Sequence, residues 1–367
     1  VCASVTSARA LLSTPPGRRA LVQGALRRRG YSLYRRYSAE AASQMASLAE
    51  RYAREVHSRL RSDRSPAATQ RRFAEEVGSE SMALDAAGIA RAEARLADPA
   101  ELRLRIGRIL DSKFVTMTLP VLNALYDSAA AAGASVGTRR DMVEGHIIAI
   151  DLSEPMDRIA DRDEDLEFLD DYRLMNPHIL GVARELISRG GDGALASFES
   201  GFAEAREGQA ADVRIQADPA GATEADMAVS YKKYRAVMGT AGRNMAAASD
   251  ALGAAFYDGM AHASECVGCG NEIEDSVARG SLKVPSWALH DAIRAKSAPE
   301  GLRRTRRREE RYMEQARSAL DSLPEGTKNA EFLGFLFLTI DHYALYWHAR
   351  ARAMSSTLDA ALEAMAR

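Results

Sequence analysis

Cysteine is scarce: Cys2, Cys266 and Cys269 are the only three in a chain of 367 residues. Three thiols cannot build a disulfide framework, so packing must hold the fold together. Aromatic residues are also few, 6 % of the chain, while alanine recurs almost throughout. β-Sandwiches draw on branched and aromatic side chains, whereas alanine is the best helix former, so the shortage points to closely packed helices. Long apolar runs are missing. The longest, Phe332 to Ile340, has nine residues, and a bilayer crossing takes about 20. No transmembrane span is expected.

Acidic residues are absent from positions 1–39, which carry eight arginines: Arg9, Arg18, Arg19, Arg27, Arg28, Arg29, Arg35 and Arg36. Residues 40–367 then hold 41 basic against 51 acidic side chains, a net of −10. An acidic body is ill suited to tracking phosphates, which excludes nucleic acid as a partner of the folded part. Common catalytic signatures are missing too. The sequence contains no Gly-x-x-x-x-Gly-Lys-Ser/Thr loop, no Gly-x-Ser-x-Gly elbow and no Glu-x-x-His pair.

What is present reads as an all-α multi-helix bundle with little or no β structure. Residues 1–37 form a basic arm whose arginine-rich, acid-free composition matches a mitochondrial import segment. Residues 38–207 form an N-terminal helical domain, 208–222 a linker, and 223–367 a C-terminal domain built on two long helices, about 223–262 and 328–366. Met227, Tyr231, Tyr234, Met238, Ala241, Met245, Ala248, Leu252, Ala255, Gly259 and His262 recur at 3.5-residue spacing, the period of a seam facing a partner helix. This spacing predicts one helix of about 40 residues, roughly 60 Å long. On that reading Ala248→Leu overpacks the seam by about 1–3 kcal/mol. Thr223 with Asp226 predicts a capping box, Asp98-Pro99 a helix start, Asn176-Pro177 another, and Gly268 with Gly270 a loop. His146 to Leu152 is the one strand-like run, and helix is favoured there because no second strand is evident to pair with it.

Three groups of residues are candidates for chemistry. His262, Cys266 and Cys269 have spacings at which thiolates share zinc or form a redox disulfide; Glu265 or Glu272 is available as a fourth ligand. Their alternative is two small buried thiols in a glycine-rich turn. The acidic cluster Asp161, Asp163, Asp165, Asp170 and Asp171 fails as a calcium loop, because Leu166 stands where glycine is needed and Tyr172 where a bidentate glutamate is needed. Asp170-Asp171 in an all-α chain is similar to the metal-binding aspartates of isoprenoid synthases, where magnesium bridges a diphosphate. That likeness requires a second acidic motif and a basic diphosphate pocket, and neither is identifiable. Arg303, Arg304, Arg306, Arg307, Arg308 and Arg311 oppose the dipole at a helix start and suggest contact with an acidic partner or an anionic lipid such as cardiolipin.

The leading expectation is a non-catalytic accessory subunit of a mitochondrial assembly, on the matrix side or peripheral to the inner membrane. An energy-converting complex, ATP synthase or a respiratory complex, fits best, with other subunits meeting the helical seams and the basic arm. No catalytic residue and no cofactor is assigned. The alternatives are a soluble all-helical metal-dependent enzyme using residues 161–171 and a zinc or redox module at 262–269.

Overall fold

The computed structural model describes residues 16–110, 113–160 and 168–365. Among the described residues it contains fifteen α-helices and a 3-10 turn, and no strand. In chain order the helices are α1 (Pro16–Ser62), α2 (Pro66–Val77), α3 (Ala86–Leu96), α4 (Pro99–Leu110) and α5 (Lys113–Ala131). Then come α6 (Arg139–Ala160), α7 (Leu169–Ser188), α8 (Asp192–Ala217), α9 (Glu224–Ser230) and α10 (Lys232–Met245). The chain finishes with α11 (Asp250–Arg279), α12 (Trp287–Ala295), α13 (Ala298–Asp321), α14 (Ala330–Ala353) and α15 (Ser355–Met365). They fall into two compact units, the first of residues 34–130 and 135–198, the second of described residues within 1–33, 131–134 and 199–367.

In the first unit, Leu48, Val56, Leu102, Ile106, Ile147, Ile148, Met175 and Ile179 are buried. The helix starts follow local chemistry. The Asp98 carboxylate accepts from the Ala100 N–H at 2.8 Å, with Pro99 opening α4. Asp85 caps α3 from Gly88 N at 2.6 Å. His146 to Leu152 lies within α6, as helix. Asn176-Pro177 is not a restart, because α7 already begins at Leu169 and carries Pro177 inside it.

In the second unit the capping box forms: Thr223 N–H donates to Asp226 at 2.8 Å and Asp226 N–H to the Thr223 hydroxyl at 3.1 Å. The single helix expected over 223–262 does not. It is divided into α9, α10 and the start of α11, and residues 246–249 turn the chain so that α10 and α11 pack together. Ser249 caps α11, and the turn's Ala248 N–H donates to the Ala134 carbonyl at 2.9 Å. A remote segment thus satisfies a turn that holds neither proline nor glycine. The 3.5-residue stripe is mostly buried, but it serves three helices instead of one. The helix expected over 328–366 is interrupted once, at Met354.

Glycines read as breaks are instead room for neighbours. α11 runs straight through Gly268 and Gly270. A Cβ on Gly268 would lie 2.7 Å from the Tyr234 ring, and one on Gly270 2.8 Å from that of Tyr343. Gly208 is inside α8, where a Cβ would stand 2.7 Å from Lys233 N, so residues 208–217 are helix and not linker. The basic arm differs as well: α1 begins at Pro16, and Gly30 lies against Phe335 and the Glu331 carbonyl of α14 with no space for a side chain. This part of the arm therefore packs against α14 of its own chain. Residues 1–15 lie outside the described residues.

Gly268→Ala is expected to destabilise by about 1–3 kcal/mol, because the Tyr234 ring must move. Ala248 is exposed in the turn, so Ala248→Leu should change stability by no more than about 0.5 kcal/mol. Urea unfolding of the two variants checks both.

Candidate functional site

Asp170 and Asp171 open α7, and their neighbours decide their chemistry. Asp171 is fully buried. It accepts hydrogen bonds from Arg95 Nε at 2.8 Å, Arg95 Nη2 at 2.6 Å and Arg105 Nε at 3.1 Å. Asp170 pairs with Arg91 at 2.9 Å and Arg173 at 3.4 Å. Arg105, itself 1 % exposed, also meets Glu101 at 3.0 Å and lies 3.7 Å over the Phe168 ring. Phe168 adopts φ 66°, which is costly for a bulky residue, and its stacking under Arg105 holds it there. The aspartates therefore tie α3, α4 and α7 together through arginines. Asp161, Asp163 and Asp165 lie outside the described residues.

A second polar centre lies inside the second unit, along α11. His262, Cys266 and Cys269 share one face of this helix, since they are four and three residues apart. The His262 imidazole is engaged elsewhere: Nδ1 is 2.8 Å from Glu265, and the ring stacks on Tyr312. Both thiols are free and buried. Burial pushes each thiol's pKa up, with the Glu309 charge adding to it, which is the reverse of what a reactive thiolate needs. The expected glycine-rich turn is absent, and the cysteines pack within a helix. Among the described residues, no group of three or more histidine, cysteine or acidic side chains is placed to hold a metal ion.

Next along α11, Glu272 accepts a hydrogen bond from the buried Tyr231 hydroxyl. Burial pushes its carboxyl up to about 8, against the opposing effect of that hydrogen bond. Across from the cysteines, fully buried Glu309 of α13 meets His348 Nε2 at 3.0 Å and Arg306 at 3.2 Å. Arg306 continues to Asp341 at 2.8 Å. None of Arg105, Glu309 and His348 stands out in the sequence as a site residue, and Glu272, a candidate fourth ligand there, is instead bonded to Tyr231. The one local signal is the three-residue spacing of Arg306 and Glu309.

Of the six arginines of the α13 run only Arg306 is buried, but four of them pair with carboxylates of the chain. Arg303 and Arg304 share Glu300, Arg306 is buried, and Arg308 pairs with Asp291 at 2.6 Å and Glu224 at 3.0 Å while lying over Trp287. Arg307 and Arg311 are exposed and form no ion pair among the described residues. Ser297 caps the helix and Glu300 occupies its first turn, so local groups answer the dipole.

No protein-family model matches the sequence, and no curated protein matches it. Among solved structures the fold is similar to that of the geranylgeranyl pyrophosphate synthetase from the archaeon Geoglobus acetivorans. The two chains are 14 % identical, with a TM-score of 0.53 over 82 % of this chain and 99 % of the archaeal one. The geranylgeranyl pyrophosphate synthase of Corynebacterium glutamicum ATCC 13032 aligns at 15 % identity and a TM-score of 0.44, over 72 % of this chain and 93 % of its own. At such identity the archaeal likeness is one of fold.

That likeness overturns the expectation of a non-catalytic accessory subunit of ATP synthase or a respiratory complex. The shared fold is that of an enzyme, matched almost from end to end, and the long seams are explained by helices of one chain packing on each other. The mitochondrial placement falls with it, because the arm composition was its chief support and the fold occurs in an archaeal protein.

Asp171→Asn should cost about 3–5 kcal/mol, since it strands two guanidinium groups around a buried site. Glu272 retains its proton at neutral pH in the fold, whereas in the unfolded chain it ionises near its ordinary value of 4.5. Its contribution to stability is therefore greatest below about pH 4.5 and falls by about 1.4 kcal/mol per pH unit towards pH 8. Unfolding across this range should show the slope, and Glu272→Gln should remove it.

Proposed function

We propose that this chain acts on a prenyl diphosphate, as an enzyme of the prenyltransferase class. One observation carries the reading: its helices follow those of a geranylgeranyl pyrophosphate synthetase over nearly the whole of that enzyme. A long-helix bundle suits an elongated apolar substrate, because apolar side chains can line it along the helix axes while polar groups gather at one end.

The metal that bridges a diphosphate in isoprenoid synthases does not fit the aspartates singled out in the sequence. Asp171 is buried and turned to Arg95 and Arg105, and Asp170 to Arg91 and Arg173. Neither presents a carboxylate edge to a magnesium ion, which takes oxygen ligands in near-octahedral geometry. These residues are assigned a structural role, and no step is routed through a metal held by them.

The test is incubation of the purified chain with radiolabelled isopentenyl diphosphate and an allylic diphosphate of five to twenty carbons, with and without magnesium. A longer radiolabelled prenyl product, together with saturable binding of the allylic diphosphate, is expected. Absence of both product and binding would overturn the proposal. Asp170→Ala should leave any magnesium dependence unchanged, as measured by the magnesium concentration that gives half-maximal rate.

A further inference from the structure

α14 is apolar on both sides. Of the 18 residues from Phe332 to Ala349, Asp341 is the only Asp, Glu, Lys or Arg, where a chain 27 % charged would place about five. Phe332, Leu333, Leu336, Phe337, Ile340 and Ala344 are buried. Asp341 is turned to Arg306 and Arg317, at 2.8 and 2.9 Å. The other side is left without charge, and there Phe335, Leu338, His342, Leu345 and Ala349 recur at steps of three and four. Leu345 is 46 % and Tyr346 55 % exposed. The Thr339 hydroxyl donates to the Phe335 carbonyl at 2.9 Å, which leaves its methyl group outward. A helix apolar all round belongs in an interior, covered on every side.

α1 extends the same surface. Tyr31, 51 % exposed, has its ring 5.9 Å from that of Phe335. An open groove of about 360 Å³ lies between them and Leu338, Thr339 and His342. Tyr31, Leu345 and Tyr346 are three of the eight large hydrophobic side chains exposed among the described residues. Their concentration on one face marks an interaction surface.

The charges at the ends of the stripe say what covers it. Glu331, in the first turn of α14, reaches Arg29 at only 3.9 Å. Arg350, in the last turn, is exposed and forms no ion pair among the described residues. Reversed end for end about residue 340, the stripe matches itself. Phe335 falls opposite Leu345, Leu338 opposite His342, and Glu331 opposite Ala349 and Arg350. A two-fold interface requires this self-complementarity, and a 3.5-residue apolar repeat is the spacing of paired helices.

We propose that this face joins two copies of the chain, their α14 helices antiparallel about a two-fold axis near residue 340. Tyr346, its ring 5.0 Å from that of Trp347, enters the groove beside Tyr31 and Phe335 of the partner subunit. Glu331 meets the partner's Arg350, and the axis repeats the pair. This interface is independent of the enzymatic reading.

Sedimentation velocity of the full chain at micromolar concentration tests this, and a dimer is expected. Leu345→Glu should give a monomer with unchanged circular dichroism and melting, because Leu345 is exposed. Glu331→Arg and Arg350→Glu should each weaken self-association about tenfold or more, since like charges then meet at both ends. An equimolar mixture of these two variants should associate as tightly as the parent chain, because arginine again faces glutamate at both ends. A monomeric parent chain overturns the proposal, as does a dimer unaffected by Leu345→Glu. A mixture no tighter than either variant alone overturns the antiparallel pairing, and the proposal with it. Binding of a monomeric chain to phosphatidylglycerol vesicles, lost in Leu345→Glu, assigns the face to lipid and overturns it too.

Discussion

A helix packed against several neighbours must be thin wherever large side chains press on it. α11 meets α10, α13 and α14, and at several of these contacts it presents glycine. The Tyr234 ring rests on Gly268, Tyr343 on Gly270 and Phe337 on Gly259. Each aromatic ring contributes a large buried area only because the opposing helix presents backbone there. The positions of α10 and α14 follow from these contacts. The same narrowness places the thiols and Glu272 in the interior, where burial rather than sequence context sets their protonation.

The fold class was legible because it rests on local quantities: alanine content, helical periodicity, and caps such as Thr223 and Asp98. What was not legible rests on distant contacts. The turn at 246–249 has no breaker residue, and the heptad stripe passes through it undisturbed. Its Ala248 N–H is satisfied by Ala134, more than a hundred residues earlier. Gly268, Gly270 and Gly208 read as breaks because glycine's local preference is against helix. Their partners Tyr234, Tyr343 and Lys233 lie elsewhere in the sequence, and packing outweighed propensity.

The candidate site shows the same limit more sharply. Asp170-Asp171 prompted a comparison with isoprenoid synthases, and an archaeal enzyme of prenyl diphosphate chemistry has a similar fold. Yet these aspartates do not carry the likeness. Sequence reveals where carboxylates are, while their availability depends on the counter-ions that folding supplies. Arg95 and Arg105, some seventy residues earlier, convert a potential ligand pair into a clasp. Arg306, one of the arginines read as meeting an acidic partner or lipid, behaves likewise: it is buried against Glu309 and Asp341. Fold and site are separable properties of a chain, and here they were legible to different degrees.

The contact between Gly30 and Phe335 has a consequence in time. The two residues are separated by about 300 positions, so this part of α1 waits for α14 while the residues between them are made. At roughly 5–20 residues per second, that interval is about 15–60 s. Until then the face of α1 around Gly30 and Tyr31 has no partner on α14. This part of α1 is thus covered late, and a nascent molecule depends on a much later helix to close over it.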